Sequence, residues 1–351
     1  MKFRRVRKTQ LCKFRGIPAD NEDLILETSV KLIPTVLFSM AFCASAGAQG
    51  FPDKPVTLVV PFSAGGPTDV VARHLALAMG KSLGQQVVVE NRTPSAGGLV
   101  GTEAVLRAEP NGYTLLIHNI GMATLPSLSR SLRFNPAKDF DYIGQVADVP
   151  MTLVGKRDLA PSGLAALQAH ITSSGKGVNL AHAGVGTASN LCGLLLMSRL
   201  KVSMTTVPYK GAAPAMTDLQ GGHVDLLCDQ ITTTLQPIET QRVKAYGATT
   251  RHRLPTLPEL PTLIEQGLAD FEVTVWHGVY APKNLPKPVS ERLVKALQDG
   301  VGDPAFKDSL SKLGALPASK DKASPEGLAS HLRSEIAKWS PIIKAAEAYI
   351  D

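Results

Sequence analysis

Aromatic residues are scarce in this sequence: Phe, Trp and Tyr together make up 5% of its 351 residues. Surfaces that stack on sugar rings or nucleobases depend on such side chains, so neither is expected as the main function. Residues 1–48 hold eight of the 37 basic and four of the 30 acidic residues, which accounts for most of the net charge of +7. The rest of the chain carries 29 basic and 26 acidic residues, a net charge of +3. Because this charge is small, we expect no nucleic-acid partner.

Cysteine is also scarce, with four residues in the chain. Cys12 and Cys43 lie in a segment that we expect to be removed, so Cys192 and Cys228 remain. An oxidising compartment permits a disulfide between these two, but two buried free thiols are the interpretation that we favour. No Cys/His spacing resembles a zinc site, and no metal or cofactor is expected.

Long apolar segments are missing as well, and Leu32–Cys43 is too short to span a bilayer. It is typical of a signal peptide, because Ala46 and Ala48 supply a small-x-small cleavage site directly after it. We therefore predict that residues 1–48 are a leader and that the mature protein is periplasmic. A lipoprotein anchored at Cys43 is disfavoured, since Phe42 stands where a small residue is required.

The remaining chain alternates short apolar strands with helical stretches, which is the pattern of an α/β fold. Val56–Pro61 is a continuous apolar run, as expected for a strand that is buried on both faces. A second unit begins near Met151, and Phe271–Tyr280 alternates as a strand that returns the chain to the first unit. We predict two lobes, each an open sheet flanked by helices, joined by two crossing strands. Lobe one would comprise residues 49–148 and 276–351, and lobe two residues 149–275.

The strongest local motif, Pro61–Asp69, follows the first predicted strand and opens a helix. Ligands bind at this place in open α/β sheets, and backbone amides at a helix start favour an anion. Thr68 and Asp69 could instead be helix caps, and both roles are compatible. The candidate ligand-binding residues here are Phe62, Ser63, Ala64, Gly65, Gly66, Thr68 and Asp69.

A second glycine-rich motif, Ala183–Asn190, also follows a predicted strand and opens a helix. A dinucleotide fingerprint does not fit, because its third glycine would fall at Ser189 and the next strand lacks a terminal acid. A phosphate-binding P-loop does not fit either, since no lysine follows. The candidate residues are Gly184, Gly186, Thr187, Ala188, Ser189 and Asn190.

Other candidates lie at strand ends. Asn119, Gly121 and Asp229 are placed to contact a ligand, and Gln230 beside Asp229 could do the same. Trp276 either packs in the hinge or forms a wall of the cleft. Lys210 lies in a segment that is either a binding loop or a plain strand-to-helix turn, and its charge would attract anions.

Nucleophilic catalysis is disfavoured, and we expect a protein that is not an enzyme. Ser63 or Ser189 could pair with a histidine that ends a strand, either His118 or His182. However, the sequence contains no G-x-S-x-G elbow, and each histidine is better explained as structural or as lining the cleft.

Several segments together resemble the Bug, or TctC, family, whose members are substrate-binding components of tripartite tricarboxylate transporters. They are PFSAGGPTD (61–69), ENRTPSAGG (90–98), PNGYTLL (110–116), DFDYIGQVADVP (139–150), VPYKGAAPAMTDLQGGHVD (207–225) and LPTLPELPTLIEQG (254–267). The resemblance implies a type II-like periplasmic binding fold that closes on a small carboxylate, held partly through water by residues 62–69 and 184–190. It also implies a membrane permease as partner, and we expect a monomer. A ligand-loaded sensor for a two-component receptor is the alternative role, and a hydrolase is a more distant one.

The ligand itself stays open. Asn190 stands where the family often has histidine, and Cys228 and Gln230 replace a more usual aromatic residue and asparagine. Low aromatic content favours a di- or tricarboxylate, an acidic amino acid or a related organic acid over an aromatic one.

Overall fold

The computed structural model describes residues 50–93, 96–174, 177–345 and 349. The predicted leader, residues 1–48, lies outside this part of the chain, so its assignment as a signal peptide stays a prediction. None of the described helices is long and apolar enough to cross a bilayer.

Strands and helices alternate along most of the described chain. The strands are β1 (Val56–Val60), β2 (Val87–Asn91), β3 (Thr114–Asn119), β4 (Phe140–Lys156), β5 (Asn179–His182), β6 (Thr205–Pro208), β7 (Leu226–Gln230), β8 (Val243–Ala248), β9 (Thr274–Pro282) and β10 (Leu316–Pro317). The helices are α1 (Pro67–Leu83), α2 (Leu99–Leu106), α3 (Gly121–Leu128), α4 (Leu164–Ser174), α5 (Ala188–Leu200), α6 (Ala212–Gln220), α7 (Ile231–Glu239), α8 (Lys287–Gly302), α9 (Pro304–Lys312) and α10 (Pro325–Ala345).

The sheet of lobe one has the order β2-β1-β3-β9-β4, with β1 parallel to β2 and β3 and with β9 antiparallel. Leu58 and Val60 of β1 pack into a core that also contains residues of α1, α8 and α9. Val59, on the opposite face, packs into a second core with residues of α3 and α10. Because helices cover both faces, β1 needs apolar side chains at successive positions, which explains the three consecutive apolar residues Leu58, Val59 and Val60.

The sheet of lobe two has the order β4-β7-β5-β6, and β8 also pairs with β4. Strand β5 runs parallel to β6 and β7, so the carboxyl ends of these three strands meet at one edge. Helix α5 starts at that edge, directly after the second glycine motif. The arrangement confirms the predicted α/β fold with two lobes.

The two lobes share β4, which is longer than the sequence suggested. The second unit was expected to begin near Met151, but the strand that enters it already begins at Phe140. Its residues up to Pro150 pair with β9, and those from Met151 pair with β7 and β8. A proline, which has no N–H to donate, is tolerated where the strand changes partners.

A second crossing lies near Val273, whose N–H donates to the carbonyl of Thr249 at 3.0 Å. The Thr249 hydroxyl donates back to the Val273 carbonyl at 2.6 Å. The returning strand spans Thr274–Pro282 rather than the predicted Phe271–Tyr280. The exact lobe limits at 148/149 and 275/276 stay a prediction.

Cys192 and Cys228 form a disulfide that joins α5 to β7, with a Cα–Cα distance of 6.1 Å. The expectation of two free thiols was therefore wrong. Both residues are buried, as expected, but α5 packs directly against β7 and brings the two sulfur atoms together. Residue spacing along the chain does not reveal such a contact.

Candidate functional site

A cavity of about 310 Å³ lies between the two lobes, where the loop before α1 faces the loop before α5. This volume is at the lower end of the range for ligand pockets and suits a small molecule. Ten of the predicted residues line it: Phe62, Ser63, Gly66, Thr68, Asn119, Gly184, Thr187, Ala188, Ser189 and Asp229.

The other predicted residues lie outside the lining. They are Ala64, Gly65, Asp69, Gly121, Gly186, Asn190 and Trp276. Gln230, the further candidate beside Asp229, also lines the cavity. Other lining residues were not among the candidates, namely Pro61, Pro67, Thr93, Ala183, Val185, Tyr209, Lys210, Gly211 and Ala212. Four of these lie in the segment after β6, which the sequence analysis left open between a binding loop and a turn. Their position at the end of a parallel strand was the available signal.

The first loop is a tight turn closed by its own helix. The N–H of Gly66 donates to the Ser63 carbonyl at 3.2 Å, and Gly65 takes a positive φ of 74°. The N–H of Gly65 donates to Asp69 Oδ2 at 2.9 Å. Asp69, the third residue of α1, therefore holds the loop in place, which explains why it lies outside the lining.

Asp69 is itself held by two neighbours. Arg73 donates to both of its carboxylate oxygens, at 2.9 and 3.0 Å, and Asn91 Nδ2 donates to Oδ1 at 2.9 Å. Burial raises the pKa of Asp69, but the hydrogen bonds from Arg73, Gly65 and Asn91 outweigh burial and lower it below its usual value. The carboxylate stays ionised and keeps the loop fixed.

The second loop repeats this construction. The N–H of Thr187 donates to the Gly184 carbonyl at 3.3 Å, and Gly186 has a φ of 77°. The N–H of Gly186 donates to Oδ1 of Asn190, the third residue of α5, at 3.2 Å. The two lobes thus present equivalent helix starts, and the first N–H groups of a helix have no acceptor within it. Such starts favour an anion.

On the lobe-one side, Thr68 is tied to Asn119, which also lines the cavity, and to His277, which does not. Asn119 Nδ2 and His277 Nε2 both lie 3.2 Å from Thr68 Oγ1. Asn119 Oδ1 accepts the N–H of Gly121 at 3.0 Å, which fixes the orientation of the amide. Gly121 therefore supports Asn119 from outside the cavity lining, and His277 is a residue that the sequence analysis did not single out.

On the lobe-two side, Ser189 donates its hydroxyl to the Cys228 carbonyl at 2.7 Å. The next residue, Asp229, accepts a hydrogen bond from Thr233 Oγ1 at 2.8 Å. Burial raises the pKa of Asp229 to about 6, although the hydrogen bonds from Thr233 and the Gln230 backbone oppose the shift. An acidic side chain that is largely ionised at neutral pH thus lines this end of the cavity.

The lobes touch across the cavity mouth. The N–H of Gly97 in lobe one donates to the Val185 carbonyl in lobe two at 3.0 Å. Ser63 Oγ, which is buried and has no partner among the described residues, lies so close to Gly211 that an added Cβ there would be 1.8 Å away. Gly211 also has a φ of 123°, a conformation that suits glycine alone.

The histidines and Trp276 have structural contacts. His118 accepts the N–H of Asn119 at 2.8 Å, and burial lowers its pKa to about 4. Among the described hydrogen bonds, none joins Ser63 or Ser189 to a histidine. Trp276 is buried in the core, where its Nε1 donates to Glu335 Oε2 at 3.3 Å.

Residues 71–347 match the family model described as the tripartite tricarboxylate transporter family receptor, TctC. The chain belongs to this family. Among relatives of this TctC-family chain, an Agrobacterium vitis protein of the UPF0065 group is 44% identical over 298 residues, 85% of this chain and 86% of its own. BugT of Bordetella pertussis is 29% identical over 323 residues, 90% of this chain and 97% of its own.

Solved structures agree with this assignment. The periplasmic binding protein BugD is 46% identical with a TM-score of 0.83, covering 86% of this chain and 100% of its own. MatC from Rhodopseudomonas palustris, solved with bound malate, is 36% identical with a TM-score of 0.80, and the match covers 84% of this chain and 100% of MatC. An R. palustris protein solved with adipate is 30% identical with a TM-score of 0.80, and the match covers 86% of this chain and 100% of that protein. The resemblance seen in the sequence is thereby confirmed.

Proposed function

We propose that this TctC-family protein is exported to the periplasm, where its lobes close on a small carboxylate and deliver it to a tripartite tricarboxylate transporter permease. The protein would act as a monomer, bind its ligand unchanged and catalyse no reaction. The observation that carries the proposal is the pair of equivalent helix starts, one from each lobe, which face each other across the cavity.

Backbone amides at these starts can hold an anion without any charged side chain. A helix start carries a partial positive charge, worth about 0.3–1 kcal/mol at exposed sites and more where it is partly buried. Both loops are fixed in advance by Asp69 and Asn190, so little ordering is required when the ligand binds. Closure would exclude water and strengthen each hydrogen bond.

The chemistry of two similar proteins supports a carboxylate. The neighbours with bound malate and adipate are 36% and 30% identical to this chain over most of its length. Lys210 adds a positive side chain to the lining and would attract an anion toward the cavity.

A thermal-shift screen of residues 49–351 tests the proposal. Malate, adipate and about a hundred other carboxylates would be compared with their neutral amides. A ligand at 100 times its Kd stabilises a fold by about 2.7 kcal/mol, which is about 4 °C for a unit of roughly 300 residues. We expect one class of acids to raise the Tm while its amides do not. Equal shifts from acids and amides, or no shift with any acid, would contradict carboxylate capture.

A further inference from the structure

Thr68 and Ser189 occupy the same position in the two matched helices, as the second residue of α1 and of α5. Both are almost fully buried, and both line the cavity. Their hydroxyl groups nevertheless have different partners. The direction in which each hydroxyl can bond to a ligand follows from those partners, since a hydroxyl has one hydrogen to donate.

At Thr68 the partners leave the hydrogen free. Asn119 donates to Thr68 Oγ1, because its own oxygen is already occupied by the N–H of Gly121. His277 Nε2 either donates to Thr68 or accepts its hydrogen. His277 Nδ1 has no partner among the described residues, and a buried N–H without an acceptor is rarer than a buried acceptor without a donor. The hydrogen therefore belongs on Nε2, and Thr68 accepts twice.

His277 cannot supply both hydrogens at once. Burial and, to a smaller extent, neighbouring His118 together lower the pKa of His277 to about 3, so the ring is neutral at physiological pH. A neutral ring carries one hydrogen, which the geometry places toward Thr68. The Thr68 O–H then has no acceptor among the described residues and is available to a ligand.

At Ser189 the situation is reversed. Its hydrogen is donated to the Cys228 carbonyl at 2.7 Å, so the oxygen can only accept a hydrogen bond from a ligand. The adjacent Asp229 also lines the cavity and, when ionised, is solely an acceptor. The lobe-two end of the cavity therefore combines helix amides with a hydroxyl and a carboxylate that both require donors.

We infer that the cavity selects a carboxylic acid that also carries a hydroxyl or ammonium group, with its carboxylate against Thr68 and its donor group against Ser189 and Asp229. In this arrangement His277 is a positioning residue, since it acts through Thr68. The inference rests on the proposed carboxylate capture and narrows the ligand to hydroxy and amino acids.

Calorimetric titration of the mature chain tests the ligand class. The probes are three-, four- and five-carbon acids, each in its unsubstituted, 2-hydroxy and 2-amino form, for example succinate, L-malate and L-aspartate. We expect the hydroxy or amino form of one length to bind at least tenfold more tightly than its unsubstituted form, as the loss of a partner for a buried polar group implies. Equal affinities within each length overturn the inference and leave carboxylate capture intact. If none of the nine acids binds, the inference fails, and the thermal-shift comparison of all acids with their amides decides whether carboxylate capture fails with it.

Variants of Thr68 and Ser189 test the roles of the two ends of the cavity separately. Ser189→Ala should remove most of the preference for the substituted acid, whereas Thr68→Val should weaken all acids about tenfold and leave the preference unchanged. Thr68→Ser keeps the hydroxyl and should bind nearly as well as the wild type. Loss of the preference in Thr68→Val, or its persistence in Ser189→Ala, overturns the assignment of the two ends.

The state of His277 can be read without any ligand. In nitrogen-15 spectra of the labelled full mature protein at pH 7, we expect the His277 signal of a neutral ring with its hydrogen on Nε2. His277→Gln, which retains an N–H donor, serves to assign the signal and should preserve binding, whereas His277→Leu should lower the affinity about tenfold. A hydrogen on Nδ1 would mean that Thr68 donates to His277, and it overturns the positioning role.

Discussion

Reducing the disulfide between Cys192 and Cys228 should destabilise the protein by a predictable amount. The two residues are 36 positions apart, and closing a loop of this length in the unfolded chain corresponds to about 4 kcal/mol at 25 °C. Unfolding a unit of roughly 300 residues has an entropy near 0.6 kcal/mol/K, so the Tm should fall by about 6 °C. The effect acts through the unfolded chain, because α5 and β7 still pack together in the reduced protein.

Urea unfolding with and without a phosphine reductant measures this difference. The only two tryptophans, Trp276 and Trp339, are both buried, so their fluorescence reports the loss of the folded state. The double variant Cys192→Ala/Cys228→Ala is the matched control, and reductant should not change its midpoint. A wild-type change below about 1 kcal/mol, or two reactive thiols in the protein unfolded without reductant, would refute the reasoning.

Three further predictions concern the cavity. Gly211→Ala should weaken ligand binding at least 100-fold in calorimetry, because its Cβ overlaps Ser63 on closure, whereas Gly222→Ala, also at positive φ but in open space, should bind normally. Thr68→Trp should likewise abolish binding by filling the cavity, and retained affinity would contradict the site assignment. Because burial raises the pKa of Asp229 from 3.8 to about 6, its contribution to stability falls as the pH rises from 4 to 6 and does not return above pH 6. The urea-unfolding advantage of Asp229→Asn should therefore grow by about 2 kcal/mol between pH 4 and 7, and a constant difference would contradict the shift.

The parts of the site that the sequence predicted are those with local signals. The motifs Pro61–Asp69 and Ala183–Asn190 each combine a strand end, glycines and a helix start, and these features are readable within a few residues. The sequence placed both loops at the cleft for that reason. It did not show that Asp69 and Asn190 form hydrogen bonds to their own loops, since the same residue types serve as helix caps and as ligand contacts.

Other features depend on contacts between distant segments. Cys192 meets Cys228 only because α5 packs on β7, and His277 meets Thr68 only because β9 lies beside β3. The sequence left undecided whether Trp276 packs in the hinge core or forms a wall of the cleft. Alternation along a strand shows that neighbouring side chains point to opposite faces, but it does not show which face meets the ligand. The structure places it in the core.

The single strand β4, hydrogen-bonded in both sheets, has a mechanical consequence. Two neighbouring segments, near Pro150 and Val273, carry the chain between the lobes, so we expect relative motion of the lobes to be mainly a rotation about an axis through these segments. If each lobe turned as a rigid body, a small change of angle at the axis would become a large displacement at its far surface. A partner that contacts both lobes at once could thus distinguish the loaded protein by shape alone, without touching the ligand.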